Sequence, residues 1–523
     1  MESFTYLLTR NNITSMSSGE AVTHGLASKS MKKNILLLIL TITVNTLLAQ
    51  HSFFKCFDTP TFECGFSVVQ MFDGGFLITG EIADSYYGLN NSKGYLLKID
   101  DDGNVIGSTQ YHDSSNRAYF TIIKQLPENP DYYMVIGAID STSGNDVYNE
   151  MALVVFNDSL QMVSDRKFPS EKNLAFYPQH GVISYDSVLL ILSSVYKNNV
   201  KQVGLTKIAL PFDSICSYIT SSIYSSIPQD LIYDYSTDRV LIFYLGNLFM
   251  KDSFLKILKL NSNLNYMSSE ESPISILTTA CADWLNDTSY VLTGATYNGA
   301  NPTEHIVTGI IDNNSQVIKT IEYGGENDTI LYGGAGTNTM INNGMVFITG
   351  MYNFDPTSWP WQSSPTWIQV TKMDTELNIQ SQHYYGGDAE YTPYCIIPCS
   401  DGGAFITGFT WDYNTPGNEL WHIFALKVDS MGVVTNIPDD ASWSVSEAIV
   451  CPNPGNEYFT ALVGVQYKTA LLHLYDIQGR LLMEKEIRHP RQKIDVSFLP
   501  TGVYVYKFIS SGKSIGGGKW VKQ

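Results

Sequence analysis

Seven similar segments divide the middle of this chain, and no other feature of the sequence limits the possible folds as strongly. Each segment joins a turn to an apolar stretch that ends near a glycine. The copies occupy residues 73–80, 130–137, 186–193, 238–246, 287–294, 343–350 and 401–408. From Gly80 to Gly408 the repeat advances in steps of about 55 residues, a period that is typical of repeat architectures.

A second apolar stretch follows each copy and often closes on Asp or Asn before a turn, as in residues 94–105 and 422–434. Further strand-like stretches precede and follow these two, so each unit holds about four strands. Four strands per unit without a helical period are typical of a β-propeller, in which radial stacking buries both faces of every sheet. A β-sandwich array or a β-solenoid is the alternative.

Composition supports short strands, because the chain has 33 Tyr and 40 Gly and only 16% charged residues. We expect the glycines and the Asp-Gly and Asn-Gly pairs to supply positive φ angles at tight hairpins. The sequence therefore predicts an all-β chain in which residues 50–436 form a seven-bladed β-propeller with four-stranded blades. A strand from residues 51–58 or 433–438 is expected to close the ring.

The repeat units, typified by DGGFLITG and YLLKIDDDGN, resemble a loose group of secreted bacterial propellers, and the resemblance covers residues 63–435. It implies the fold and says little about activity, because propellers host many functions. The sequence patterns of WD and kelch propellers and the Asp box of sialidases are missing.

The N-terminal part reads as a targeting segment. A short basic stretch at Met31 precedes an apolar stretch at residues 35–49, which predicts a secretory signal peptide over residues 31–49. Its apolar core is shorter than the ~20 residues that a membrane span needs, and a membrane anchor is the alternative. Residues 1–30 have no pattern and are interpreted as a mis-assigned extension in front of the true start.

The end of the chain differs in charge from the rest. Residues 451–523 contain 10 Lys and Arg against 5 Asp and Glu, whereas the whole chain carries a net charge of −19. Such a shift marks a domain boundary, and we interpret residues 437–449 as a linker before a domain at residues 450–523. Alternating apolar residues predict half-buried strands there and a small antiparallel β-sandwich.

Several short motifs follow one another along this C-terminal domain. They include Pro452, Asn453, Pro454, Leu474, Tyr475, Asp476, Gly479, Arg480, Ile494, Asp495, Val496, Leu499, Gly502, Val503, Tyr504 and a basic end that contains Lys519. The domain resembles the type A C-terminal sorting domain of the type IX secretion system, and a generic fibronectin-like module is the alternative. The resemblance implies that type IX secretion machinery carries the chain across the outer membrane. The product is then secreted, or attached at the cell surface to lipopolysaccharide.

Residues that could carry chemistry give no catalytic or metal motif, and we predict no catalytic residue, metal or cofactor. The nine His are scattered, and the Gly-x-Ser-x-Gly match at Gly512 lacks the strand–turn–helix context of a nucleophile elbow. The net charge of −19 argues against nucleic acid as a partner. Cys56 with Cys64 and Cys395 with Cys399 could form local disulfides, and buried free thiols are the alternative.

The loops that open on one face of a propeller usually carry function, and here they contain aromatic residues beside carboxylates. The candidate ligand-binding residues are Tyr86, Tyr87, Trp359, Trp361, Trp411, Tyr413, Glu326, Asp328, Asp388 and Glu390. Aromatic rings stack on the apolar faces of sugars, and carboxylates accept hydrogen bonds from sugar hydroxyls. Ordinary turn polarity, with aromatic residues that cover blade edges, is the alternative.

These observations favour an exported, non-catalytic propeller that acts as a binding or adhesion module for a glycan or protein ligand. The alternative is a surface enzyme that degrades polysaccharide or peptide with carboxylates on the same face. A structural surface-layer protein without a small ligand is a third possibility.

Overall fold

The computed structural model describes residues 52–522 except for 87–91, 112–116, 144–145, 170–173, 185–187, 198–199, 210–213, 221–224, 247–253, 298–303, 325–336, 356–363, 416–417, 435–443, 446–447, 452–454, 464–468, 489–490 and 511. The predicted signal peptide and the N-terminal extension therefore lie outside the described residues.

Seven antiparallel sheets form the blades. In blades 1 to 6 four strands follow one another in chain order, whereas in blade 7 three consecutive strands pair with a strand from the beginning of the described chain. The first described strand is β1 (Phe53–Cys56), and blade 1 consists of β2 (Phe62–Gln70), β3 (Phe76–Ala83), β4 (Lys93–Ile99) and β5 (Val105–Tyr111). Blade 2 consists of β6 (Arg117–Leu126), β7 (Asn129–Ser143), β8 (Asp146–Asn157) and β9 (Met162–Pro169). Blade 3 consists of β10 (Leu174–Ile183), β11 (Val188–Lys197), β12 (Val200–Ala209) and β13 (Ser214–Ile219). Blades 4 and 5 are β14 (Ile227–Asp234), β15 (Arg239–Leu245), β16 (Leu255–Asn261) and β17 (Tyr266–Glu271); and β18 (Ala280–Asn286), β19 (Ser289–Tyr297), β20 (Glu304–Asp312) and β21 (Val317–Tyr323). Blade 6 is β22 (Thr339–Asn342), β23 (Met345–Tyr352), β24 (Trp367–Met373) and β25 (Ile379–Gly386), and blade 7 is β26 (Glu390–Pro398), β27 (Ala404–Trp411) and β28 (His422–Val428) with β1 as its fourth strand.

The blades form a closed ring. The first strand of every blade contacts the first strands of both neighbours, so these seven strands surround the central axis. Phe53 pairs with Lys427, and the N-terminal strand β1 thereby completes blade 7. The predicted seven-bladed propeller is confirmed, and of the two segments proposed for closure the structure uses the N-terminal one.

In blades 1, 2 and 7 the glycine that ends the repeated motif lies on the second strand, opposite a bulge in the first strand. A Cβ atom on Gly80 would lie 1.7 Å from the carbonyl oxygen of Cys64, and one on Gly408 would lie 1.9 Å from that of Thr392. These glycines are needed for close backbone approach. The expected positive φ is found at the glycines of the Asp-Gly and Asn-Gly turns, as at Gly74, Gly344 and Gly402.

The turn that follows the third strand has the same form in all six blades where it is described. An Asp or Asn side chain accepts hydrogen bonds from the backbone and holds the turn closed. The residues at this position are Asp100, Asn157, Asn261, Asp312, Asp374 and Asp429, and each accepts from the amide four residues later at 2.7–2.9 Å.

The fourth residue of this turn adopts positive φ, and in three blades it is a leucine. Leu264 and Leu377 have φ of 61° and 57°, a conformation that costs an L residue with a side chain about 1–2 kcal/mol. Both side chains are buried in the hydrophobic layers of the ring, at 5% and 1% exposure. Burial of a leucine contributes ~1.5–3 kcal/mol and offsets this strain.

Lysines on the third strands join neighbouring blades. Lys98 Nζ lies 2.6 Å from Asp158 Oδ1 and 2.9 Å from the Asp158 carbonyl oxygen, in the turn of the next blade. Lys207 Nζ donates to the carbonyl of Ser262 at 2.6 Å, and Lys259 Nζ donates to Ser315 Oγ at 2.9 Å, each one blade further on. The lysine of the repeated YLLKID motif therefore has a structural role between blades.

The C-terminal residues form two packed sheets. One contains β30 (Ala448–Cys451), β31 (Tyr458–Val463) and β34 (Arg491–Asp495), and the other contains β32 (Ala470–Tyr475), β33 (Leu481–Ile487), β35 (Gly502–Ser510) and β36 (Lys513–Lys522). A two-residue strand, β29 (Ser444–Val445), precedes them and pairs with β25 of blade 6. Side chains from both sheets share one core, in which the Phe459 and Trp520 rings meet edge to face at 5.0 Å. The structure thus agrees with the predicted β-sandwich.

Five cysteines lie in parts of the chain whose side chains the structure describes, and all five are free thiols. They are Cys56, Cys64, Cys281, Cys395 and Cys399. Of the two alternatives that the sequence left open, free thiols are correct and the disulfides Cys56–Cys64 and Cys395–Cys399 are absent. Cys64 and Cys395 are packed in hydrophobic clusters between blades 7 and 1, where they fill space as small apolar side chains.

Candidate functional site

The connections between second and third strands, and those between successive blades, emerge on the same side of a propeller. We call this side the loop face. Of the ten predicted ligand-binding residues, five fall on parts of it that the structure describes: Tyr86, Trp411, Tyr413, Asp388 and Glu390. The other five lie outside the described residues: Tyr87, Trp359, Trp361, Glu326 and Asp328.

The five described residues lie on blades 7 and 1 and on the connection that leads into blade 7. Half-buried Tyr86 packs against buried Trp421, with ring centroids 5.6 Å apart, and Trp421 stacks on Phe409 at 3.7 Å. Trp411 packs on the same hydrophobic cluster and meets Tyr413 edge to face at 6.3 Å. We call Tyr86, Trp411, Tyr413 and Trp421 the aromatic surface.

The position of the aromatic surface follows from local hydrogen bonds. Trp411 ends β27, and its indole nitrogen donates to the carbonyl oxygen of Asn418 at 2.9 Å, which fixes the ring against the loop before β28. Asn414 in the same loop donates to the carbonyl of Asp388 at 2.9 Å. The rings therefore lie on a hydrogen-bonded support rather than on a free loop.

The two described carboxylates have structural neighbours. Asp388 accepts a hydrogen bond from the Tyr391 hydroxyl at 2.8 Å. Glu390, at the start of β26, is completely buried at 0% exposure. Burial raises the pKa of Tyr394, which lies between Glu390 and Glu81, so its hydroxyl stays protonated at neutral pH. Glu390 therefore lacks the open setting that a sugar hydroxyl at the surface would require, whereas Asp388 remains partly exposed.

A second group of polar residues lies around the central axis, on the first strands of blades 3, 4 and 5. His180 Nδ1 lies 2.6 Å from Asp230 Oδ1. Asp230 Oδ2 accepts from the backbone amide of Ala282, and Asp283 Oδ2 accepts from that of Ile341, both at 2.8 Å. Each carboxylate satisfies an amide on the inner edge of the next blade, where no further strand can pair with it.

Burial sets the electrostatics of this axial group. It raises the pKa of Asp283 to about 6, and the nearby charge of Asp230 adds to the rise, although hydrogen bonds from backbone amides oppose it. Burial also lowers the pKa of Lys124, on the first strand of blade 2. Sequence reasoning missed these residues because none belongs to the repeated motif, although polar residues interrupting apolar first strands were a signal.

The sorting motif residues occupy turns and the core of the C-terminal sandwich. Asp476 caps a turn that Gly479 completes at φ of 80°, Leu499 is buried, and the Tyr504 hydroxyl donates to the Pro500 carbonyl at 2.5 Å. Gly502 begins β35 and Lys519 lies on β36. Pro452, Asn453 and Pro454 lie outside the described residues.

Two further properties concern only the described part of the chain. It contains no helix that is long and apolar enough to cross a membrane. It also contains no group of three or more His, Cys, Asp or Glu side chains arranged to hold a metal ion.

Comparison with known protein families matches residues 449–523 to the secretion system C-terminal sorting domain. No curated protein sequence matches the chain. A fungal alcohol oxidase of the AA5 family, in complex with copper, has 9% identity and a TM-score of 0.41, and the match covers 90% of this chain and 98% of that one.

Two other solved structures are similar to this chain. The polysaccharide lyase Uly1 has 10% identity and a TM-score of 0.44, over 70% of this chain and 90% of that one. The β-propeller domain of the Trilobed protease from Pyrococcus furiosus has 11% identity and a TM-score of 0.39, over 72% and 97%. At these values the similarity carries no conclusion about chemistry, and the fold rests on the sheets described above.

Proposed function

Given that residues 449–523 are a sorting domain of the type IX secretion system, which exports its cargo to the cell surface or the extracellular space, we propose that the propeller binds a glycan there. The sorting domain accounts for delivery and for an interaction with the secretion machinery. The propeller, which makes up most of the chain, is the part that acts after delivery. We further propose that residues 31–49 are the signal peptide that starts this route.

The observation that carries the proposal is the aromatic surface. Tyr86, Trp411 and Tyr413 are each partly exposed on the loop face, and all three lie on or beside the junction of blades 7 and 1. Aromatic rings offer flat apolar faces at low cost in conformational entropy, because each side chain has few rotatable bonds. Sugar rings present complementary faces of C–H groups.

The setting of the carboxylates favours binding over hydrolysis. A glycosidase needs two carboxyl groups that face the scissile bond, about 5–5.5 Å or 6.5–9.5 Å apart. Asp388 is partly exposed but Glu390 is completely buried, so the two do not form a pair of carboxyl groups that faces a bound glycan. The described part of the loop face thus supports a binding module.

The test incubates the purified full chain with insoluble host and dietary polysaccharides and measures both retention and new reducing ends. Retention without new reducing ends, reduced about tenfold in Trp411→Ala, is the expected result and corresponds to the loss of ~1.4 kcal/mol of stacking. New reducing ends would contradict the binding module and show that the chain is an enzyme that degrades polysaccharide. Absence of retention on every polysaccharide would leave protein adhesion as the function.

A further inference from the structure

We propose that the loop face carries a second carbohydrate subsite, where blades 2 and 3 meet, and that this subsite takes a neutral sugar. It is formed by Arg117, Tyr119, Asp140, Asn149 and Tyr177, which we call the Arg117 cluster. None of these residues belongs to the aromatic surface, which lies on blades 7 and 1. The inference rests on the proposed glycan-binding function and adds a separate site and a ligand class.

Asn149 gives the cluster a buried acceptor. Its side chain is at 0% exposure, and its Nδ2 donates to Asp140 Oδ1 at 2.7 Å. Its Oδ1 has no hydrogen-bond partner among the described residues. A buried polar atom without a partner costs about 1–3 kcal/mol, so Asn149 marks incompletely hydrogen-bonded polar packing behind the partly exposed Asp140 and Tyr177.

Arg117 gives the cluster a buried donor atom that also lacks a hydrogen-bond partner within the described part of the chain. Its Nη2 lies 3.2 Å from Glu81 Oε2, and its guanidinium carbon lies 4.8 Å from the centre of the Tyr119 ring. Its Nε is buried and has no partner within the described part of the chain. The side chain remains 32% exposed, so a ligand can approach the guanidinium from outside.

The tyrosines supply rings and neutral hydroxyls. The Tyr177 ring meets the Tyr196 ring edge to face at 5.5 Å, and Tyr196 is 42% exposed at the end of β11. Burial raises the pKa of Tyr119 and of Tyr177, so both phenols remain protonated donors at neutral pH. The partly exposed Tyr196 ring, with the Lys201 ammonium 5.9 Å from its centre, is available for stacking beside these donors.

The charges of the cluster favour a neutral ligand. Glu81 already neutralises Arg117, and Asp140 adds a carboxyl whose pKa is raised by burial. The whole chain carries a net charge of −19, which repels anionic polysaccharides. A sugar hydroxyl both donates and accepts hydrogen bonds, so it suits the partly exposed Arg117 guanidinium and Asp140 carboxyl, whereas a carboxylate can only accept.

The test is isothermal titration of the full chain with cellohexaose, xylohexaose, mannohexaose and laminarihexaose, and with hexagalacturonate as the acidic probe. Tyr196→Ala removes the exposed ring, and Tyr177→Phe removes one hydroxyl with little change of volume. Tyr266→Ala is the matched control, because Tyr266 is 59% exposed on the outer strand β17 of blade 4.

We expect at least one neutral hexasaccharide to bind, Tyr196→Ala to weaken it at least tenfold, and Tyr266→Ala to leave its affinity unchanged. Tyr177→Phe removes a hydrogen bond to Asn149, so it should weaken binding several-fold while the protein stays fully folded at the temperature of the titration.

Preferred binding of hexagalacturonate would overturn the neutral-sugar assignment. Unchanged affinity in both Tyr196→Ala and Tyr177→Phe, together with a loss in Trp411→Ala, would overturn the second subsite and leave the proposed function standing. If no saccharide binds, both the second subsite and the proposed glycan-binding function are overturned.

Discussion

Asp283 accepts a hydrogen bond from the backbone amide of Ile341 at 2.8 Å, and this contact joins the inner strands of blades 5 and 6. Asp230 makes the corresponding contact from blade 4 to Ala282 of blade 5. The inner edge of a blade cannot receive another strand, because the ring leaves no room on the axis. Side-chain carboxylates take over the pairing of its amides there.

Asp283→Asn should stabilise the protein at high pH. Burial raises the folded-state pKa of Asp283 to about 6, above the unfolded value of ~3.9. Ionisation above pH 6 therefore opposes folding, and the opposition is lost as the pH falls from 6 towards 4. Asparagine keeps an oxygen for the Ile341 amide, so urea unfolding should give about 1–2 kcal/mol more stability at pH 8 and little change at pH 4.

The control is Asp374→Asn at a turn where Asn157 and Asn261 occupy the equivalent position in other blades. Hydrogen bonds in the turn lower the pKa of Asp374, so its contribution has the opposite pH dependence. A stabilisation by Asp283→Asn that is equally large at pH 4 and pH 8 would contradict the role of its charge.

Leu377 should invert the usual order of alanine and glycine substitutions. It combines φ of 57° with 1% exposure, so Leu377→Ala loses burial and keeps the strain. We expect Leu377→Ala to cost about 2–5 kcal/mol and Leu377→Gly about 1 kcal/mol less, because glycine adopts positive φ freely. Leu258, buried in β16, should give the normal order, with glycine the worse replacement. Equal behaviour at both sites in urea unfolding would argue against strain at Leu377.

Phe54→Ala should weaken ring closure. The Phe54 ring packs within 5.6–6.4 Å of Tyr391, Phe424 and Tyr385, and it is 3% exposed. We expect a loss of about 3–5 kcal/mol in the free energy of unfolding, with earlier protease cleavage in blade 7. Phe72→Ala, at 91% exposure, is the matched control and should change stability by less than ~0.5 kcal/mol. A Phe54→Ala protein as stable as this control would mean that β1 does not hold the ring.

The five described cysteines should all be alkylated after unfolding without a reducing agent. Peptide mapping after iodoacetamide treatment in denaturant gives the readout. In the folded protein Cys64 and Cys399 should react slowly, because burial raises the pKa of both thiols and little thiolate is present. A peptide that joins Cys395 to Cys399, or Cys56 to Cys64, would contradict the structure.

Removal of residues 450–523 should keep the propeller inside the cell envelope, because the secretion machinery recognises the sorting domain for transport across the outer membrane. Gly516→Val should act in the same direction, since a Cβ at Gly516 would lie 2.0 Å from the Ala448 carbonyl oxygen and would push the two sheets apart. Ser514→Val, at an exposed position two residues earlier, is the control. Fractionation of the native host with detection of the propeller provides the measurement, and undiminished surface delivery of the truncated chain would refute the assignment.

The propeller could be predicted because its repeat is local. Motifs such as 73–80 and 401–408 contain turn, strand and glycine in one stretch, and the four strands of blades 1 to 6 are consecutive. The expected positive φ holds at the Asp-Gly and Asn-Gly turns, but the constraint on Gly80, which ends the motif, comes from the Cys64 carbonyl on another strand. The periodicity of the sequence carries no information about close contacts between the backbones of neighbouring strands.

The candidate site was less predictable, since it depends on neighbours that are distant in sequence. Sequence reasoning selected Asp388 and Glu390 as ligand carboxylates, and the structure leaves Asp388 partly exposed beside Tyr391 but buries Glu390 completely. Arg117 and Asn149 carry no motif, and only the packing of blade 2 brings them together with Tyr177. Polarity in a loop is visible in a sequence, whereas an unpaired atom in a packed junction is not.

The strand that closes the ring also determines when the propeller can finish folding. β1 is the first strand of the propeller to be synthesised and β28 is the last, and Cys56 meets Tyr391 across 335 residues of chain. Blades 1 to 6 can pair from consecutive strands as they emerge, but blade 7 cannot. Closure is therefore a late step with a large loop entropy, and it completes only when the whole propeller is present in the compartment where it folds.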